Sequence, residues 1–183
     1  MNTHQSDKPL DWVIRFAPLI HAGGAVLDLA CGNGRHANYL AGVGHIVTAV
    51  DRNLSGFTRI GNNDFYELIE ADLEDGSEWP LRSRRFKAII VTNYLYRPLF
   101  PAIIDALDTN GILIYETFSL GNAKYGRPSN PDFLLTPGEL LSVCKNKLRV
   151  IAFEEGLIEN PTRAVKQRIC AINRSRNGEP ASI

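Results

Sequence analysis

Short apolar runs recur along the chain, and most of them end at a glycine or an acidic residue. Runs of this length that are rich in β-branched residues and bounded by turn residues are typical of buried strands. The pattern predicts seven strands, over 25–29, 45–51, 66–70, 85–93, 111–118, 149–154 and 166–174.

Apolar residues at helical spacing separate several of these runs. Asp7 and Pro9 are suited to the start of a first helix, as its cap and in its first turn. Thr136, followed three residues later by Glu139, has the pattern of a capping box. Helices are therefore predicted over 10–20, 35–43 and 100–107, and a fourth one opens at Thr136.

The order of these elements predicts the fold class. Strands alternating with helices over 25–148 favour right-handed crossovers and a parallel sheet covered by helices on both faces. The last two strands are separated only by 156–164, which is too short for a crossover helix and favours an antiparallel hairpin. We predict a single α/β domain over 1–183, a Rossmann-like, doubly wound, seven-stranded sheet that is mostly parallel with a C-terminal antiparallel hairpin.

Composition adds limits on partners. The 183 residues carry 20 basic and 20 acidic side chains, and this balance disfavours a protein held mainly on nucleic-acid phosphates. The charge is uneven, however, because residues 1–80 are acidic and residues 145–176 are basic. We therefore expect a small-molecule partner, with nucleic acid disfavoured but left open.

Cysteine content and hydropathy predict the environment. The chain has 3 cysteines, too few and too scattered for a disulfide framework or a metal knuckle, and we predict no metal site. No apolar run has the length of a membrane span, and residues 1–10 are too polar for a secretory signal. We expect a cytoplasmic protein without membrane attachment.

The strongest chemical signal is a strand that runs into a glycine turn and then a helix, in the segment from Asp28 to Gly34. Parallel sheets bind ligands at the carboxyl ends of their strands, and glycines allow a ligand to approach the backbone closely. A nicotinamide dinucleotide fits the glycine spacing, since Ala37 is tolerated at the third position. The Asp28 carboxylate would repel a pyrophosphate, and it suits a cationic ligand instead.

The segment 28–34, Asp-Leu-Ala-Cys-Gly-Asn-Gly, resembles the first motif of class I S-adenosylmethionine-dependent methyltransferases. Its continuation through Arg35 and His36 resembles the small methyltransferases related to the tellurite-resistance enzymes, and the resemblance covers about 12–172. It implies transfer of a methyl group from S-adenosylmethionine by direct displacement, with S-adenosylhomocysteine as the product.

The resemblance also implies the cofactor residues. In that family an acid at the position of Asp51 bonds both ribose hydroxyls, and an acid at the position of Asp72 bonds the adenine amino group. Asn93 would help to hold the methionine part. The implied cofactor set is Asp28, Ala30, Gly32, Asn33, Gly34, Asp51, Arg52, Asp72, Leu73 and Asn93.

The acceptor is expected over the ends of the fourth and fifth strands. There Tyr94, Arg97 and Glu116 are the predicted catalytic residues, with Arg97 for an anionic substrate and Glu116 as a proton acceptor. Tyr96 and Tyr115 are predicted to contact the substrate alongside Tyr94.

The segment 118–136 is longer than usual connections and is predicted to be a lid. Tyr125 and Phe133 would cover the ligand and Arg127 would add positive charge. The N-terminal helix, within 1–22, is predicted to close the other side of the pocket.

Several alternatives stay open. The acceptor predicted here is a small molecule such as a thiol, an oxyanion or a carboxylate-bearing metabolite. An RNA or protein methyltransferase would use the basic residues of 145–176, and a non-catalytic cofactor-binding protein would keep the fold without turnover. A nicotinamide-dependent oxidoreductase is the weakest alternative.

Overall fold

The computed structural model describes residues 8–173, so the predicted cap at Asp7 and the predicted strand end at Arg174 lie outside the described residues. The strands are β1 (Ala25–Leu29), β2 (Ile46–Asp51), β3 (Tyr66–Glu70), β4 (Phe86–Thr92), β5 (Leu107–Phe118), β6 (Arg149–Ile158) and β7 (Ala164–Ile172). The α-helices are α1 (Asp11–Phe16), α2 (Arg35–Gly42), α3 (Phe100–Asp105) and α4 (Glu139–Cys144).

All seven strands form one sheet in the order β3-β2-β1-β4-β5-β7-β6. The pairs among the first five strands are parallel, whereas β7 is antiparallel to both β5 and β6. The predicted fold class is therefore confirmed, including the antiparallel C-terminal hairpin. Because β7 lies between β5 and β6, the second strand of the hairpin, and not the first, joins the parallel part of the sheet.

The predicted alternation of strand and helix fails in the first half of the chain. Within the described residues, no α-helix connects β2 to β3 or β3 to β4, and only a 3₁₀ turn at 63–65 interrupts these connections. Both connections, 52–65 and 71–85, are rich in Gly, Asn, Asp and Ser, which favour turns and not helices. This leaves the ends of β2 and β3 open to a ligand.

The capping pair predicted for α4 forms, but the helix begins later than expected. The backbone N–H and the hydroxyl of Thr136 both donate to a Glu139 carboxylate oxygen, at 2.8 and 2.9 Å. Gly138 then adopts a left-handed conformation, with φ of 67°, directly before the first helical residue. Glu139 thus closes the turn before the helix.

The two faces of the sheet bury separate hydrophobic clusters. Helices α1 and α2 pack on one face and α3 and α4 on the other. Neighbouring residues of a strand serve opposite faces, as Val26 and Leu27 do in β1, and both are fully buried. On the first face Trp12 of α1 is 2% exposed, and its indole N–H donates to the Ile169 carbonyl of β7 at 3.2 Å. The predicted closure of the pocket by this helix stays a prediction.

Candidate active site

A cavity of about 330 Å³ lies at the carboxyl ends of the parallel strands. This volume is within the range of small-molecule sites, about 300–1,000 Å³. Five of the predicted cofactor residues line it: Ala30, Asp51, Arg52, Asp72 and Leu73. The remaining wall is made by Ala71, Glu74, Tyr94 and Phe133.

The glycine turn enters α2 through left-handed backbone at Gly32 (φ 56°) and Gly34 (φ 82°). A Cβ atom on Gly34 would lie 2.2 Å from the ring of Phe57, so that only glycine fits there. The neighbouring Asn33 is exposed, and its amide oxygen would be 2.4 Å from a Cβ on Gly56. The loop after β2 therefore packs directly onto the glycine turn.

Asp51 ties this turn to the end of β2. One carboxylate oxygen accepts a hydrogen bond from the Gly32 N–H at 2.7 Å, and the other accepts from the Asn53 N–H at 3.1 Å. Each oxygen has a second lone pair, so the carboxylate keeps two acceptor positions for a diol such as ribose. Asp51 is thus both a support of the turn and a wall of the cavity.

Asp28 lies beneath the glycine turn and does not line the cavity. Its side chain is almost fully buried and accepts a hydrogen bond from the Ala37 N–H of α2 at 2.9 Å. Burial raises the pKa of this carboxyl to about 7, against the opposing effects of that hydrogen bond and the nearby Arg35 guanidinium. A cationic ligand at the turn would favour its charged form.

Asp72, Glu74 and Tyr94 form the far wall of the cavity. The Asp72 carboxylate accepts from the Glu74 N–H at 2.9 Å. Among the described residues the buried Tyr94 hydroxyl has no hydrogen-bond partner, and burial followed by the Glu74 charge raises its pKa. An unpartnered buried hydroxyl in a cavity wall is a position that a ligand can satisfy.

These observations agree with an S-adenosylmethionine site. The cofactor carries a sulfonium cation, a ribose diol and an adenine ring. The cavity offers the Asp51 carboxylate for the diol and the Asp72 carboxylate for the adenine amino group, and its apolar wall at Leu73 and Phe133 suits the ring. The other predicted cofactor residues, Asp28, Gly32, Asn33, Gly34 and Asn93, do not line this cavity, and their contacts with the cofactor stay predictions.

A buried ion-pair cluster lies next to this cavity, at the ends of β4 and β5. The Lys166 ammonium donates to Glu116 Oε1 at 2.8 Å and to Asn93 Oδ1 at 2.9 Å. The second Glu116 oxygen lies 4.0 Å from the Arg168 guanidinium. The expectation of a free Glu116 carboxylate that accepts a proton is therefore corrected, because both of its oxygens already face cations.

Lys166 and Arg168 belong to this cluster, and the sequence-based predictions do not single them out. There they enter only as part of the basic segment 145–176. The available signal was the run Lys166-Gln167-Arg168 inside an otherwise apolar strand, since three polar residues there require buried partners.

The prediction that Arg97 binds an anionic substrate is also corrected. Its Nε and Nη2 donate to the two carboxylate oxygens of Glu139, at 2.7 and 3.0 Å. Nη1 and Nη2 further donate to the carbonyls of Asp132 and Leu134. The guanidinium therefore fastens the segment before α4, and little of its donor capacity remains for a substrate.

The three tyrosines predicted to contact the substrate differ in how deeply they are buried. Tyr115 is 2% exposed, and its hydroxyl donates to the Tyr94 carbonyl at 2.8 Å, so it belongs to the core and its predicted substrate contact is corrected. Tyr96 is half-buried before a 3₁₀ turn at 97–99, and its substrate role stays a prediction. Tyr94 lines the cofactor-side cavity, and its catalytic role also stays a prediction.

The predicted lid is pinned at both ends. Backbone hydrogen bonds join Leu120 to Leu135 and Leu135 to Phe118, each at 2.9 Å. Tyr125 lies beneath the guanidinium of Arg163, whose central carbon is 5.1 Å from the ring centroid. Three residues of this segment are predicted to contribute to the lid: Tyr125, Arg127 and Phe133. Among them, Phe133 alone lines the cavity.

This pinning limits the lid prediction to the part of the loop around Phe133.

Within the described part of the chain, no helix is both long and apolar enough to cross a membrane.

Comparison with known proteins assigns the chain to a family. The family described as tellurite resistance protein TehB matches residues 12–111. Among curated proteins, no sequence matches the chain.

Solved structures share the fold at low sequence identity. TehB from Haemophilus influenzae superposes with a TM-score of 0.70 and 18% identity over 93% of this chain, which spans 64% of the length of that protein. A TehB-like S-adenosylmethionine-dependent methyltransferase from Corynebacterium glutamicum gives 0.61 and 17%, covering 88% of this chain and 86% of that one.

A third structure was solved with a cofactor product. The 1,6-didemethyltoxoflavin-N1-methyltransferase from Burkholderia thailandensis, with bound S-adenosylhomocysteine, gives a TM-score of 0.65 and 15% identity over 94% of this chain and 80% of that one. Two of these neighbours are described as methyltransferases, in agreement with the predicted enzyme class, and one of them holds the predicted cofactor product. The chain belongs to the family of the tellurite resistance protein TehB and has the fold of S-adenosylmethionine-dependent methyltransferases.

Proposed function

We propose that this protein transfers a methyl group from S-adenosylmethionine to a small-molecule acceptor. The observation that carries the proposal is the cavity at the strand ends, in which Asp51 follows β2 and Asp72 and Leu73 follow β3. These are the positions from which the family resemblance implies contacts to ribose and adenine.

In this proposal the chain's own residues mainly bind and orient. Asp51 holds the ribose hydroxyls, and Asp72, Leu73 and Phe133 hold the adenine ring. The Tyr94 hydroxyl gains the hydrogen bond that it lacks in the protein alone. When bound, the cofactor supplies a methyl group on a sulfonium, which is already a good leaving group.

Orientation then accounts for much of the rate enhancement. Holding the acceptor in line with the methyl group removes up to about 7–11 kcal/mol from the barrier, without a dedicated base. This agrees with the pairing of Glu116 to Lys166, which leaves no free carboxylate at the end of β5.

Two observations support a small acceptor. A second cavity, of about 80 Å³, is lined by Lys166 and Arg168 together with residues 154–158 of β6. It is large enough only for a small group. The methyltransferase from Burkholderia thailandensis with bound 1,6-didemethyltoxoflavin is a neighbour with a small acceptor.

Three of the basic residues of 145–176 are already paired with carboxylates, which weakens the support for an RNA acceptor. Arg163 pairs with Glu159, and Lys166 and Arg168 pair with carboxylates as well. A cytoplasmic location is part of the proposal, supported by the three cysteines, which are free and buried.

The test has two stages. Calorimetry with S-adenosylmethionine, S-adenosylhomocysteine and NAD should show binding of the first two alone; NAD binding alone would overturn the proposal. A labelled methyl donor is then offered with a pool of small molecules, with bulk RNA and with unfolded protein. Label in the small-molecule fraction is expected. Label only in RNA or protein would replace the acceptor class, and binding without any transfer would indicate a non-catalytic protein.

A further inference from the structure

Asn93 occupies a constrained position at the mouth of the site. It follows β4 with a left-handed φ of 54°, and its backbone N–H donates to the Glu116 carbonyl of β5 at 2.8 Å. The residue is exposed, so that its side chain is available to a ligand at the strand end.

Lys166, in β7, contacts this side chain. It stands opposite Phe118 in the β5–β7 pairing, and its side chain is 10% exposed. Its ammonium lies 2.9 Å from Asn93 Oδ1 and 2.8 Å from Glu116 Oε1. A buried charge is stable only with such partners, and the two bonds fix its position.

The chemistry of the ammonium determines which way the Asn93 amide faces. An ammonium group has three donors and no acceptor, so the atom that faces it must be the amide oxygen. The NH₂ group is therefore turned away from Lys166. In the described part of the chain, neither of its hydrogens is bonded to another residue, so Asn93 offers a ligand two donors, while Lys166 occupies one lone pair of its oxygen.

Only one group in the methionine part of the cofactor matches these donors. The carboxylate accepts hydrogen bonds, whereas the ammonium only donates them. Arg35, which opens α2, is a half-buried cation that forms no hydrogen bond with a described residue and interacts with the charges of Asp28 and Glu116.

We propose that Lys166 is a positioning residue that turns the Asn93 amide outward, so that its NH₂ group donates to the carboxylate of the cofactor. The inference rests on the proposed function and deepens it. It assigns Asn93 a donor role toward the carboxylate, and it gives Lys166 a role in cofactor affinity without direct contact.

The experiment compares two ligands by calorimetry. S-adenosylhomocysteine carries the amino-acid part, and 5′-methylthioadenosine lacks it. Asn93→Asp keeps an oxygen toward Lys166 but replaces the donors with a negative oxygen. We expect it to weaken S-adenosylhomocysteine binding by about 10- to 100-fold, with unchanged affinity for 5′-methylthioadenosine. Lys166→Met should act in the same direction, and Lys166→Arg should restore part of the affinity.

Matched controls exist at the opposite end of the sheet. Asn110 is also exposed and left-handed, with φ of 60°, and Lys87 forms an ion pair with Asp108 at 2.7 Å. Asn110→Asp and Lys87→Met should leave both affinities unchanged. Thermal unfolding of each variant checks its fold. Lys166→Met leaves the Glu116 carboxylate without its lysine partner. If that variant is unstable, the double variant Lys166→Met with Glu116→Gln removes this buried charge.

The outcomes separate the two proposals. Failure of the unmodified protein to bind S-adenosylhomocysteine would overturn the proposed function itself. Normal binding in the unmodified protein together with unchanged affinity in Asn93→Asp and Lys166→Met would overturn the inference alone. An equal loss of affinity for both ligands would also overturn it, because a contact with the carboxylate cannot affect a ligand that lacks one.

Discussion

The two sides of the candidate site are built in opposite ways. On the β2–β3 side, the carboxylates of Asp51 and Asp72 line an open cavity and are held mainly by backbone N–H groups. On the β5–β7 side, Glu116 is buried and is held by the cations of Lys166 and Arg168. The carboxylates on the β2–β3 side can still accept hydrogen bonds from a ligand. On the β5–β7 side the Glu116 carboxylate is already paired with cations of the protein.

The difference follows from how far apart in the chain the partners lie. Asp51 is 19 residues from Gly32, within a single strand–helix–strand unit. Lys166 is 50 residues from Glu116 and 73 from Asn93. A local sequence motif can contain the contact between Asp51 and Gly32. The contacts of Lys166 instead depend on which strand lies beside β5 in the sheet.

The largest expected effect on cofactor binding is on the open side, in Asp51→Ala. Loss of the carboxylate would remove both proposed bonds to the ribose hydroxyls and the observed bond to the Gly32 N–H of the glycine turn. The affinity for S-adenosylmethionine should fall by about 100-fold, or about 3 kcal/mol, in calorimetry. Asp105→Ala, at an exposed position of α3, is the control. Equal affinities in both variants would show that the ribose lies elsewhere.

Gly34→Ala tests the packing of the glycine turn and should cost about 2–3 kcal/mol of unfolding free energy. The added Cβ meets both a left-handed backbone and the ring of Phe57. Gly44→Ala has a similar φ, 94°, with nothing within 4 Å, so it measures the backbone cost alone, about 1 kcal/mol. Urea unfolding of both variants checks this, and equal losses would contradict the contact with Phe57.

Asp28→Asn separates burial from charge. The carboxyl has an ordinary pKa of 3.8 and a pKa of about 7 in the folded protein, so between these values the folded state keeps a proton that the unfolded state has lost. The free energy of unfolding contributed by Asp28 therefore falls as the pH rises from about 4 to about 7.

An asparagine does not titrate, and its oxygen can still accept from the Ala37 N–H. Relative to the unmodified protein, Asp28→Asn should gain about 4 kcal/mol of stability between pH 4 and pH 8. The buried His36, whose pKa burial lowers to about 3, is present in both proteins and cancels in this difference. Parallel stability curves against pH would refute the prediction.

Arg97→Met tests the corrected role of this arginine. The side chain bridges Glu139 and two carbonyls, so its removal should lower the unfolding free energy by about 1 kcal/mol and leave cofactor affinity unchanged. Arg82→Met, which removes a surface pair with Glu78, should change stability by less than about 0.5 kcal/mol. Weakened cofactor binding in the Arg97 variant alone would restore a role at the site.

The smallest expected effect concerns the loop 118–136. Phe133→Ala removes an apolar wall of the cavity and should weaken S-adenosylmethionine binding by about threefold, as partial loss of a buried ring predicts. Tyr125→Ala should have no effect, because its ring faces Arg163. If the Tyr125 variant lost as much affinity as the Phe133 variant, the whole segment would act as a lid.

Sequence reasoning was most successful where local pattern and fold agree. It placed β1 and β3 at their observed bounds and found Asp51 and Asp72, two of the three carboxylates that line the cavity. It failed for the missing crossover helices, because alternation was extended into two segments whose composition favours turns. It also assigned free roles to Arg97 and Glu116, because a single sequence does not show which charges are paired.

The sequence by itself determined the elements, the fold class and the cofactor side of the site, because apolar periodicity, turn residues and strand-end acids act over one or two neighbouring elements. Only the tertiary structure decided which groups are free and which are neutralised. The insertion of β7 between β5 and β6 brings Lys166 and Arg168 to Glu116, and in a buried setting such pairing determines whether a carboxylate is a base or a support.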